Sequence, residues 1–268
     1  MLKDITLGQF FPGDTVAHRL DPRTKILLVV LYIVALFCAK SLLAYGILAA
    51  VLAVCVRISR VGIKSLVRGL KPVVFIIVFT GILNLFFTPG EHILAELGFL
   101  RISAEGLQNA VFMVLRIMLL IMGTFLMTYT TSPIRLTDGL ESLLNPLKKI
   151  HVPVHELAMM MAIALRFIPT LIEETDKIMS AQKARGADFD SGNIFQKAKA
   201  LVPILVPLFI SAFRRADELA TAMECRCYHG GEGRTKLHVL KYQRRDYVAL
   251  AGGVVILALV VVLRRLGT

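Results

Sequence analysis

The apolar stretches of this 268-residue chain contain no aspartate or glutamate, so they lack the carboxylates that mark ion paths and proton relays inside membranes. A nucleotide-binding signature is missing as well. Gly230-Gly231-Glu232-Gly233-Arg234-Thr235 has the glycines of a phosphate loop without the Gly-Lys-Ser/Thr ending or a buried strand before it, and is expected to be a flexible loop. Any ATP hydrolysis must then belong to a partner. Cysteine is scarce, at four residues: Cys38 and Cys55 lie in apolar runs, and Cys225 and Cys227 stand too close for an unstrained bridge, so reduced thiols are expected. Without the Cys-x-x-Cys pair usual in structural zinc sites, Cys225, Cys227, His229 and His238 make a weak metal-ligand set. The segment Met1 to Lys25 carries Asp4, Asp14 and Asp21 in place of a basic start, an apolar core and a cleavage site, and no cleaved signal is expected.

What the chain has in quantity is apolar side chain, 56% of residues, with a mean hydropathy of +0.69. This is too apolar for an ordinary soluble domain and fits several membrane spans. The net charge of +12 would suit nucleic acid, but the cations sit between apolar runs, as they do in cytoplasmic loops beside anionic lipid. The lipid bilayer, and no nucleic acid, is the expected partner for that charge.

The first apolar region, Ile26 to Val56, is interrupted only at Lys40-Ser41. Arg19, Arg23 and Lys25 precede it; Arg57, Arg60, Lys64, Arg68 and Lys71 follow it. Both flanks belong inside by the positive-inside rule, which requires an even number of crossings and predicts a hairpin of spans over 24–40 and 42–57. A third span is predicted over 72–87, an outside connection with Glu91, Glu96 and Glu105 over 88–106, and a fourth span over 107–130. A fifth, over 247–263, leaves the C-terminus outside, with Arg264-Arg265 against the rule. The expected fold is all-α and polytopic with about five transmembrane helices, arranged as an N-terminal membrane domain (1–131), a cytoplasmic region (132–246) and a C-terminal transmembrane helix (247–268). Asn84, Thr124 and Arg116 are the main polar residues within spans. They outline no substrate path, and Arg116 is expected to face the interior or to snorkel to an interface rather than to serve transport.

The cytoplasmic region reads as a pair of long amphipathic helices. From His155, Leu157, Met160, Met161, Ala164, Leu165, Ile168, Leu171, Ile172, Ile178 and Met179 recur at helical steps, opposite Glu173, Glu174, Asp176 and Lys177. A second stripe begins near Ala198 and runs through Leu201, Ile204, Leu205, Leu208, Ala212, Ala216, Leu219 and Met223. Residues 187–193 form a polar turn, with Gly186 stopping one helix and Asn193 available to cap the next. Pro169, Pro203 and Pro207 are expected to bend these helices or mark short breaks. Pro133 to Leu147 reads as an earlier amphipathic piece along the membrane surface. The methionines at 159–161 suit an adaptable partner surface and ordinary core packing equally well.

Each helix of the pair closes on a related pattern. Asp176 to Gly186 returns as Asp217 to Cys227, a spacing of 41, and both copies end in an arginine flanked by small residues: Ala184-Arg185-Gly186 and Cys225-Arg226-Cys227. An arginine near a helix C-terminus complements the dipole there for about 0.3–1 kcal/mol, but capping alone requires no matching neighbours. A planar guanidinium grips a carboxylate through two hydrogen bonds, and small neighbours let the partner approach. Two such tips point to two equivalent acidic grooves on a dimeric partner.

These two motifs, together with His18-Arg19-Leu20-Asp21-Pro22-Arg23-Thr24-Lys25, resemble the transmembrane T-component of energy-coupling factor transporters over nearly the whole chain. The resemblance implies coupling helices whose Ala-Arg-Gly-type ends insert into grooves on two ATP-binding cassette ATPases, which bind ATP and magnesium. It also implies an apolar surface cradling a membrane-embedded, substrate-binding S-component of a nutrient importer, vitamins being the expected class and transition-metal ions another. Ala184, Arg185, Gly186, Cys225, Arg226 and Cys227 are the implied docking residues, in a non-catalytic chain with no cofactor of its own, in a bacterial or archaeal-type cell membrane. The second motif departs from Ala-Arg-Gly in both flanking residues, which leaves its helix ending open. The rival reading is a stand-alone channel or secondary transporter, against which the missing carboxylates and the lack of two-half repetition argue; an intramembrane enzyme would need a nucleophile–base or metal constellation that the spans do not offer.

Overall fold

The structure, a computed structural model, describes residues 10–88, 93–97, 100–187, 189, 193–231 and 239–266. The expected turn at Asp188 and 190–192, the glycine loop from Glu232 onward, and His238 lie outside these residues. The described elements are α1 (Val16–Arg19), α2 (Pro22–Cys38), α3 (Leu42–Ser59), α4 (Ile63–Leu70), α5 (Val74–Phe87), a two-stranded antiparallel hairpin β1 (Ile93–Leu97) and β2 (Leu100–Ser103), α6 (Ala104–Thr130), α7 (Pro133–Leu144), α8 (Val154–Ala184), α9 (Ile194–Cys225) and α10 (Arg244–Arg265). Short 3-10 turns join α4 to α5 and follow α7 at Asn145–Ile150.

Helix starts follow local chemistry. Pro22 opens α2, where its missing N–H is no loss, and the Asp21 carboxylate accepts from the Arg23 N–H. Ser41 and Ser103 cap α3 and α6 through their hydroxyls, accepting from the N–H groups of Ala44 and Gly106. Asn193 caps α9 in a reciprocal box with Gln196, so this helix begins four residues before the apolar stripe does. The loop expected over 88–106 contains the β-hairpin, and α4 is a separate amphipathic helix that precedes the expected third span.

The chain divides into two compact units, one of Gly8–Ser142 with Leu240–Thr268, the other of Leu143–Val239. In the first, close contacts fix the directions of α2, α5, α6 and α10. Lys25 meets Thr130, Tyr32 meets Gly123, and the Ala39 carbonyl meets Arg116, so α2 and α6 run antiparallel. Gly81 against Val114 and Leu85 against Gly106 set α5 antiparallel to α6 in turn. Asp21 meets Asp246 and Leu28 meets Gly253, which makes the last helix, α10, a parallel neighbour of α2. Leu36, Tyr45, Leu48, Leu66 and Val260 are the largest fully buried apolar side chains at the centre.

A polar node closes one end of this bundle. The buried Lys25 ammonium donates to the Thr130 carbonyl at 2.8 Å and the Thr131 hydroxyl at 3.1 Å. The Asp246 carboxylate, 2% exposed, accepts from the backbone N–H of Asp21 at 2.9 Å and of Gln243 at 2.8 Å. Arg23 grips the Asp21 carboxylate at 3.1 and 2.9 Å, donates to Ser142 and lies over the Tyr242 ring at 4.0 Å. Such burial of charge is tolerated because each group is hydrogen-bonded, and Asp21 is in addition paired with Arg23. Arg116 is likewise turned inward: its Nε donates to the Tyr45 hydroxyl at 3.0 Å and its Nη2 reaches the Ala39 carbonyl at the end of α2, a structural role for that intramembrane cation.

Among the described residues five helical stretches are long and apolar enough to cross a membrane: Leu42–Ser59, Ile63–Phe87 (α4 and α5 taken together), Ala104–Thr130, Val154–Ala184 and Arg244–Arg265. The fold is all-α and polytopic apart from the hairpin. This set differs from the expected one at two places. The helix α2 has 17 residues, about 25 Å, at the short limit for a span. The helix α8 qualifies through its apolar half, while its other half carries Glu173, Glu174, Asp176, Lys177 and Lys183.

Candidate docking site at two helix termini

The helices α8 and α9, with 31 and 32 residues, form the second unit. Neither breaks at its prolines, contrary to one of the two outcomes expected for Pro169, Pro203 and Pro207. One reason is visible at their contact. Pro207 has no N–H to give the Pro203 carbonyl one turn earlier, and that carbonyl instead accepts from Gln182 Nε2 of α8 at 3.3 Å. Eight residues before Gln182, Glu174 accepts from Ser211 Oγ and from Arg215 Nη2, the latter at 3.0 Å. As the numbers fall along α8 they rise along α9, so the pair is antiparallel.

The two termini share one backbone geometry. At the end of α8 the Ala187 N–H donates to the Gln182 carbonyl at 3.0 Å and the Gly186 N–H to that of Lys183 at 3.0 Å. At the end of α9 the Tyr228 N–H donates to Met223 at 3.1 Å and the Cys227 N–H to Glu224 at 2.8 Å. Both are the paired six-to-one and five-to-two bonds of a Schellman ending. The residue after the cap is left-handed in each, Gly186 at φ 87° and Cys227 at φ 55°. The cap itself is Arg185 in one and Arg226 in the other. Cys227 therefore stands where Gly186 stands, which fixes the ending that the sequence left open.

All six predicted residues, Ala184, Arg185, Gly186, Cys225, Arg226 and Cys227, are exposed. Among the described residues neither guanidinium forms an ion pair. The structure groups these residues in two places, because antiparallel packing sends the tips apart. From Pro203, opposite Gln182, α9 runs on to Cys225 while α8 continues three residues the other way to Arg185, which puts the tips about 37 Å apart along the pair. Both tips carry a cation over the carbonyl end of a helix, where the dipole is negative.

Between the tips α9 offers an apolar stripe, including Leu205, Phe209 and Phe213 at 57%, 66% and 63% exposure. Met160 and Met161 of α8 are exposed as well, so they are not core. The cross-links Glu174–Ser211–Arg215 and Gln182–Pro203 went unmarked in the sequence; their only signal was polar side chains placed beside an apolar stripe. Among the described residues no group of three or more His, Cys, Asp or Glu side chains is placed to hold a metal ion.

A family model described as cobalt transport protein matches residues 13–237, which sets the bundle and its helix pair among membrane transport components. Curated relatives narrow this. The chain is 57% identical over 93% of its length to the energy-coupling factor transporter transmembrane protein of Clostridium kluyveri, covering 93% of that protein. It is 51% identical to its counterpart in Ruminiclostridium cellulolyticum, with 98% of each covered, and 48% identical to that of Bacillus subtilis, over 98% of this chain and 100% of the relative. The chain belongs to this family of energy-coupling factor transporter transmembrane proteins.

Proposed function

We propose that this chain is the membrane-embedded coupling subunit of an ATP-driven nutrient importer of the energy-coupling factor type, in the cell membrane, with α8 and α9 on the cytoplasmic side. The observation that carries the docking assignment is the duplicate terminus: two exposed arginines at the same position of the same helix ending. Each guanidinium enters an acidic groove on one of two ATP-binding cassette subunits, which bind ATP and magnesium and perform the hydrolysis. As those subunits close, they carry the tips with them. Glu174, Ser211, Arg215 and Gln182 tie the two helices at their crossing, so a displacement at either tip turns the pair as stiff rods. The exposed apolar stripe of α9 passes that motion to a substrate-binding S-component.

The test is Arg185→Glu combined with Arg226→Glu in the intact complex. Charge reversal turns a bidentate grip into repulsion, and the variant is expected to lose co-purification with the ATPases and substrate uptake while still inserting into the membrane. Unchanged assembly would reject the docking roles. Family membership does not favour the rival reading of a stand-alone channel or secondary transporter; uptake by the isolated chain in liposomes without an ATPase would revive it.

A further inference from the structure

A cavity of about 630 Å³ lies between the N-terminal segment at Phe11–His18 and the elbow where α3 turns into α4. Its volume is within the range of about 300–1,000 Å³ usual for small-molecule sites. We propose that it holds the headgroup of an anionic phospholipid. This goes beyond the coupling role and does not depend on it.

The first argument is charge. Between Pro22 and Gly90 the chain has no acidic residue, while Arg57, Arg60, Lys64, Arg68 and Lys71 crowd the elbow, all five of them exposed. The one carboxylate in the cavity wall, Asp14, is already matched: Arg19 donates to both its oxygens, at 2.8 and 2.6 Å, and that guanidinium holds the carboxyl below its ordinary range. His18 is occupied too, bonded to the Thr15 hydroxyl at 2.7 Å and the Phe11 carbonyl at 3.1 Å. The lining cation left free among the described residues is Arg60.

The second argument is backbone. Arg60 sits at φ 53°, a left-handed position that glycine fills more easily. An arginine kept there at some strain points to a use for its side chain.

The third argument is the mixed wall, which separates a lipid from a free anion. Beside Arg60 and Ser65, the cavity is lined by Phe11, Val16 and Ile58, at 48%, 52% and 48% exposure. Inorganic phosphate needs no apolar wall, whereas the glycerol and first methylenes of a phospholipid do. The elbow also follows α3, a helix of spanning length and apolarity, which sets it where the chain leaves the hydrocarbon. There α4 buries Leu66 and Leu70 and exposes Lys64 and Arg68, the arrangement of an interfacial helix.

The full-length protein in detergent, offered equal amounts of phosphatidylglycerol and phosphatidylcholine with the same acyl chains, is expected to retain the phosphatidylglycerol in native mass spectrometry. Arg60→Gly removes the cation while suiting the left-handed backbone, so it should fold at least as well and lose about five-fold in that preference; adding Lys64→Gln should bring the loss to roughly 25-fold. Lys148→Gln with Lys149→Gln, a basic pair remote in sequence, should leave the preference intact. If Arg60→Gly does not fold, Arg60→Asn tests the same point, since asparagine also tolerates this conformation. Equal retention of the two lipids, or full retention by the Arg60 variants, overturns the proposal. Displacement of the lipid by millimolar inorganic phosphate overturns the lipid assignment in favour of a free anion.

Discussion

Cys227 occupies the left-handed position that its twin terminus gives to Gly186. A side chain there strains the backbone, and Cys227→Gly is expected to raise stability by about 0.5–1 kcal/mol, read as a higher thermal unfolding midpoint. Because Arg226 and its neighbours keep their geometry, binding to the ATPases should be unchanged; loss of binding would show that the thiol takes part. Gly186→Val, by contrast, should destabilise by more than that, since a β-branched residue resists this conformation. The sequence made Arg185, Arg226 and the Gly186 stop legible, because arginine, small flanks and a terminal glycine are local signals. Cys227 carries no such signal, and only the backbone bonds reveal its place. The pairing of Glu174 with Ser211 and Arg215 was illegible for another reason: it spans 37 and 41 residues and exists only in the antiparallel register.

At the scale of elements, the pair α8 and α9 is held by few polar bonds, each with a distinct origin. Pro207 frees a carbonyl and Gln182 takes it up; Glu174 holds a hydroxyl and a guanidinium. The Glu174–Arg215 pair is partly exposed, at 23% and 37% of the side chains, so its energy is modest and its effect is on geometry. Spin labels placed near the two tips are expected to give a broader distance distribution in Glu174→Ala or Gln182→Leu than in the parent protein, with uptake reduced and membrane insertion intact. An unchanged distribution would place the stiffness of the pair elsewhere. Four of the expected spans, those at α3, α5, α6 and α10, were readable from uninterrupted apolar runs and flanking charge, whereas α2 falls short of the spanning length and the apolar half of α8 reaches it. The helix α4 was hidden because eight residues at an elbow look like a basic loop, and the hairpin β1–β2 because strand pairing is not local.

At the scale of the whole molecule, the node around Lys25 and Asp246 decides how the first unit closes. Asp246→Ala would leave the buried N–H of Asp21 without its acceptor and remove the cap on the Gln243 N–H, and is expected to destabilise by about 1–3 kcal/mol, measured as loss of folded protein during heating in detergent. The motif around Pro22 was visible in the sequence as a helix start. That Asp21 and Arg23 meet a segment more than two hundred residues away was not, since nothing local announces a partner at that distance. The side-by-side, same-direction packing of α2 and α10 also bears on how the protein is made. The helix α2 must wait at the insertion machinery for one made more than two hundred residues later, with the Asp21 amide and Arg23 provisionally served by water or lipid. A nascent chain that stops before residue 240 should therefore be a target for membrane proteases, and its half-life in a pulse-chase should fall well below that of the full polypeptide.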